Sequence, residues 1–286
     1  QVTSIVASVA QETLGAVNNV AGWSRLEAGR GWQPALISSS ATDVPAPPSG
    51  AVPSAVGPPS AAPVPAEESG YLQLVDLRAL VAGAREAGGR YRLLVSPGAW
   101  VQAHAPLGNF EPLAGRDTDL EARARLLQHT LAVGQERSME HDVAFGIQQL
   151  VDIAVKALSP SINDPTTAMN CIDRLVEVLT AAGLQADPPR AFADEDGVIR
   201  LEVPFPGFDE LVPLAFDQVR HYGGDAPAIV IHLARALSLL VSTLSASRQR
   251  ALRAEAQLLA VAAAAMTLEP DRHRALAAVE PLINGR

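Results

Sequence analysis

The residues best equipped for chemistry lie together in one segment, SPSINDPTTAMNCIDRL, from Ser159 to Leu175. Ser159, Ser161, Asn163, Asp164, Thr166 and Thr167 bring hydroxyls, an amide and a carboxylate into a single turn. Local physics assigns part of that set a structural job. Asp164 stands where its carboxylate can accept the first free amides of a helix, and Pro165 stands where a first-turn proline costs no hydrogen bond. Capping does not need all of these groups, so a polar binding site or a subunit contact stands beside the helix start as the functional reading. The candidate ligand-binding residues are Ser159, Asn163, Asp164, Thr166, Thr167, Asp173 and Arg174.

Other clusters carry weaker signals. Glu140, His141 and Asp142, with Asp164, could in principle ligate a cation, but acidic residues at helix starts are expected from the helix dipole alone. Gln148, Gln149, Asp152 and Lys156 share a helical face on which Asp152 and Lys156 form an i,i+4 pair. If that face is buried it needs partners, and Arg174 and Arg220 are the candidates. His221 and Tyr222 close a helix, where a histidine is favoured electrostatically. Cys171 sits one turn into an apolar helix and reads as an inert core thiol. No G-x-S-x-G elbow and no Gly-rich phosphate loop opening a helix occurs. The sequence therefore calls for no catalytic residue, metal or cofactor. A hydrolase or transferase using the Asp164 region stays as an alternative, as does a small-ligand or ion sensor.

Composition narrows the partners. The net charge is −9, Lys156 is the sole lysine, and the arginines are scattered rather than striped, which argues against nucleic acid. Aromatic residues make up 4% of the chain, too few for a base-stacking platform. A single cysteine rules out an internal disulfide and fits a reducing compartment.

The elements that must position these groups follow from apolar spacing. Val2, Ile5, Val6, Val9, Leu14 and Val17 predict an amphipathic helix, which with its following turn fills residues 1–37. Residues 38–69 are rich in Pro, Ala and Ser, and eight prolines between Pro45 and Pro65 predict an unstructured linker. A small β-rich module is expected at 70–115, with strands at Tyr71 to Val75, Tyr91 to Val95, Trp100 to Ala103 and Leu107 to Leu113, and a helix from Leu77 to Ala87. Within it SPGAWVQAHAPL resembles the half-motif of biotinyl and lipoyl barrels but lacks the carrier lysine, so it implies a small barrel or sandwich without carrier chemistry. A mainly helical domain fills 116–286, with helices expected at Asp117 to Val133, Ser138 to Leu158, Pro165 to Ala182, Asp209 to Tyr222, Ala226 to Ser245, Arg248 to Met266 and Arg272 to Ile283, and a strand at Val198 to Val203. The fold class is α+β. Ala226 to Leu244 is the most span-like stretch, but Arg235 near its middle costs about 2.5–3.5 kcal/mol in a bilayer, so a buried helix is expected.

HDVAFGIQQLVDIAVKALSPSINDPTTAMNCIDRL resembles the signature of the bacterial predicted membrane proteins grouped as domain of unknown function 2254. VASVAQETLGAV, GYLQLVDLRAL with SPGAWVQAHAPL, and AFDQVRHYG are similar to further blocks of that family. The resemblance gives weight to Asn163, Asp164, Pro165 and Asp173 as family-type positions and implies no reaction. It implies transmembrane helices ahead of Gln1 that bind the lipid bilayer, with this chain as the C-terminal soluble region. The expected setting is the bacterial inner membrane with this region in the cytoplasm, a homo-oligomeric assembly, and an assembly, regulatory or gating role.

Overall fold

The computed structural model describes residues 2–23, 33–35, 61–113 and 130–284. By their internal contacts these fall into two units, one of residues 1–18, 143–187 and 207–286, the other of residues 19–142 and 188–206. The fold is α+β, as the sequence predicts.

The first unit is helical. It holds α1 (Val2–Gly22) as far as Asn18, α3 (Val143–Ala157), α4 (Pro165–Gly183), α5 (Phe208–Gly223), α6 (Pro227–Thr243), α7 (Gln249–Ala264) and α8 (Glu269–Asn284). Each helix buries a stripe at helical spacing, as Ile147, Leu150, Val151 and Ala154 do in α3 and Ala168, Cys171, Ile172 and Leu175 do in α4. α3 packs on α4 and α5, α6 on α4 and α8, and α7 on α5 and α8. α1 and α3 meet where Thr13 is fully buried and lies against Gly146. A Cβ at position 146 would stand 2.0 Å from the Thr13 hydroxyl oxygen, so only glycine permits that approach. The span-like stretch is α6, which buries Ile229, Val230, Leu233 and Leu237 in this bundle. Among the described residues no helix is long and apolar enough to cross a membrane.

The second unit is built on strands β1 (Gln33–Ala35), β2 (Ala62–Pro65), β3 (Gly70–Val75), β4 (Gly89–Leu93), β5 (Trp100–Val101), β6 (Pro106–Pro112), β7 (Leu131–Gly134), β8 (Ala191–Ala193) and β9 (Ile199–Glu202), with helix α2 (Leu77–Glu86). One sheet runs β1-β8-β9-β4-β6-β2 and the other β5-β3-β7, and every pairing is antiparallel except β4 with β9. Leu72, Leu80, Tyr91, Phe110, Phe192 and Leu201 from both sheets and α2 share one core.

Three expectations are corrected. Ala62–Pro65, read as linker, is the edge strand β2; Ala62 and Val64 point inward while Pro63 points outward, and an edge position tolerates the missing proline N–H. Leu131–Gly134, read as the end of a helix, is strand β7 on β3, with Leu131 and Val133 packed at a two-residue period on the core. The expected helix from Ser138 starts at Val143, because residues 138–142 form a turn held by side-chain bonds. Residues 38–60 of the expected linker and 117–129 of the expected helix lie outside the described residues.

Candidate functional site

The Ser159 to Thr167 turn joins α3 to α4, and its backbone closes on itself. The amide of Asn163 donates to Ser159 O at 2.8 Å and that of Asp164 to Ala157 O at 2.8 Å. Asn163 adopts φ 47°, a left-handed conformation that asparagine tolerates better than most residues. The Ser159 hydroxyl donates to Lys156 O at 2.7 Å, beside the Ser159 amide that reaches the same carbonyl at 3.2 Å, and lies 3.2 Å from the Ser161 hydroxyl.

Asp164 is the N-cap of α4. Its Oδ1 accepts the Thr167 amide at 3.1 Å and its Oδ2 accepts the Thr167 hydroxyl at 2.6 Å. These two bonds favour the ionised form and hold the carboxyl below its usual range. Pro165 occupies the first helical turn, as expected.

The seven candidates divide. Ser159, Asn163, Asp164 and Thr167 are joined through the turn, and Thr166 is exposed beside them. Asp173 and Arg174 lie further along α4 with partners of their own. Asp173 Oδ1 is 2.7 Å from His232 Nε2 on α6, and Arg174 Nη1 is 2.7 Å from Glu177 Oε2. The turn is thus a helix cap with an exposed polar rim of Ser161, Asn163 and Thr166.

Of the other sequence candidates, Gln149 keeps a buried Oε1 and His141 a buried Nδ1 without a hydrogen-bond partner among the described residues. The Asp142 carboxylate is buried against the Arg137 guanidinium at 2.7 Å, and His141 stacks edge-on against Trp23 at 4.9 Å, where burial lowers the imidazole pKa. Gln148 donates to Asp152 at 2.7 Å on an exposed face, while Arg220 turns to Glu255 and Asp217. His221 packs against Tyr222 with ring centroids 5.0 Å apart. Among the described residues no group of three His, Cys, Asp or Glu is placed to hold a metal.

Sequence reasoning missed the buried charge networks. In the six-stranded sheet Arg90 pairs with Glu111 and Glu202, and Arg92 with Glu202 at 2.9 Å. Asp194, fully buried, accepts the amides of Asp196 and Val198 at 3.0 Å and Arg200 Nε at 2.7 Å. The alternation in GRYRL was the available signal for an arginine-bearing face, but the partners come from strands distant in sequence.

The described residues thus form a helical unit and a sheet unit, with a capped interhelical turn at the start of α4. The chain belongs to the family described as predicted membrane protein (DUF2254), which matches residues 1–238. It is similar to an uncharacterized protein of Mycobacterium tuberculosis (strain CDC 1551 / Oshkosh), 32% identical over 211 residues. It is equally similar to uncharacterized proteins of Mycobacterium bovis (strain ATCC BAA-935 / AF2122/97) and of Mycobacterium tuberculosis (strain ATCC 25618 / H37Rv), each 32% identical. Each match covers 72% of this chain and 40% of the relative, so the chain spans less than half the length of these relatives. No solved structure matches.

Proposed function

We propose that this chain is the water-exposed part of a multi-spanning membrane protein of the bacterial inner membrane, on the cytoplasmic side, and that it acts in assembly or regulation of the membrane part. The observation that carries the reading is a mismatch. The family is one of predicted membrane proteins, yet none of the described helices is long and apolar enough to cross a bilayer, and the chain corresponds to 40% of its relatives' length. On this reading the membrane-spanning segments belong to the remaining length. The internal pairing of the polar groups at Asp164, Asp142 and Asp194 supports a scaffold role over a reaction, since each carboxylate is held by bonds within its own unit.

The test compares the full-length membrane protein in lipid nanodiscs with and without residues 2–284, reading oligomeric mass. The reading expects a closed symmetric assembly that is weakened or lost without this chain. Unchanged assembly together with unchanged cellular behaviour would remove the proposed role.

A further inference from the structure

The last helix carries two separate faces. α8 buries Ala275, Val279 and Leu282 against the bundle, and a second face holds Pro270, His273, Leu276, Ala277, Glu280 and Ile283. Two adjoining hollows of about 470 and 410 Å³, sharing His273 and Leu276, run along that second face beside α7. Ile283 is 42% exposed there, and Val261 on α7 and Leu268 at the α7–α8 turn are 68% and 65% exposed. His273 and Glu280 are exposed and have no partner among the described residues.

The spacing of this face is self-complementary. A two-fold axis between Leu276 and Ala277 sets Pro270 opposite Ile283, His273 opposite Glu280 and Leu276 opposite Ala277 of an antiparallel copy. Apolar residues meet apolar residues, an imidazole meets a carboxylate on both sides of the axis, and the small Ala277 allows close helix approach at the centre. A membrane surface fits less well, because Glu269 and Glu280 on the same face repel anionic headgroups and Arg272 beside them is engaged with the Met266 carbonyl at 3.1 Å.

We infer that this face of α8 is a homodimer seam whose occupant is the same face of a second copy of this chain. The inference deepens the assembly reading above by naming its contact, and it is tested on the 286-residue chain alone, so the two can fail separately. Sedimentation velocity over rising concentration should show a monomer–dimer equilibrium. His273→Glu alone places a carboxylate against Glu280 on both sides of the axis and should raise the dimer Kd about tenfold or more. Adding Glu280→Lys to that variant sets a carboxylate against an ammonium on both sides of the axis and should return Kd close to wild type. Ala277→Cys should form a disulfide-linked dimer on mild oxidation and release it on reduction, while the wild-type chain, with only the buried Cys171, should not. Unchanged circular dichroism shows that each variant folds. A chain that stays monomeric at every concentration overturns the seam whatever the full-length protein does in a bilayer. So does a double variant as weak as His273→Glu alone, or an Ala277→Cys chain that does not cross-link.

Discussion

Arg220 on α5 and Glu255 on α7 form a buried ion pair, with Arg220 Nε 2.7 Å from Glu255 Oε1 and Glu255 only 4% exposed. Asp217 shares the same guanidinium. Removing one partner of such a pair strands the other charge in a low-dielectric site, so Arg220→Met should destabilise the helical unit by about 3 kcal/mol in denaturant unfolding. Glu255→Gln keeps an acceptor for Arg220 and should cost clearly less.

The same pair carries a pH signature. Burial lifts the Glu255 carboxyl above its ordinary range, outweighing the opposing pull of Arg220. The folded chain therefore holds that proton more tightly than the unfolded chain. The contribution is complete below the ordinary carboxyl range and fades as pH rises through the lifted value. Unfolding midpoints taken between about pH 4 and 7 should show this decline in the difference between wild type and Glu255→Gln. A difference that does not vary with pH would contradict it.

Asp164 should show the opposite sign. Bonds from the Thr167 hydroxyl and amide depress its pKa, so its contribution is present above the ordinary carboxyl range and is lost as pH falls through the depressed value. Asp164→Ala should lower Tm by a few degrees at neutral pH. Asp164→Asn should cap nearly as well and should show a smaller loss of Tm in acid than the wild type does. Thermal scans of the three chains check this, and an Ala variant as stable as wild type would refute the cap.

Gly98 should not accept a side chain. Its φ is +82°, and a Cβ there would stand 1.6 Å from Asp142 Oδ2, the oxygen that Arg137 holds. The left-handed backbone alone costs an alanine about 1–2 kcal/mol. Gly98→Ala must also displace a buried carboxylate, so its loss in urea unfolding should exceed that figure.

Cys171 should be silent until the chain unfolds. It is fully buried in α4, and burial pushes its thiol pKa up to about 12. A thiol reagent at neutral pH should titrate one group in denaturant and almost none in the folded chain.

The legible parts of the fold were those set by short-range pattern. Apolar spacing located α4, α5, α6 and α7 to within a few residues, and the Asp164–Pro165 pair marked the start of α4 from composition alone. Elements decided by distant pairing were harder. Pro63 and Pro65 argue against a strand until the edge position beside β6 is known, and Leu131 to Gly134 reads as helical until β3 is seen beside it. The candidate site divided for the same reason. Asp164 and Thr167 are three residues apart and capping joins them, but the partner of Asp173 is His232, on another helix. Arg220 was offered as a partner for the face of Gln148 to Lys156, and its partner Glu255 could be identified only from the packing of α5 on α7.

The most direct test of the account is the accessibility of Asn163 in the full-length membrane protein. Asn163 is exposed at the α3–α4 turn, and the chain's own cysteine is buried, so Asn163→Cys gives a single reactive thiol in this region. A membrane-impermeant maleimide should label it in inverted inner-membrane vesicles and not in intact spheroplasts. Labelling in intact spheroplasts would put the region on the other side of the membrane, and labelling in neither preparation until detergent is added would put it in the bilayer; either result contradicts a water-exposed cytoplasmic region.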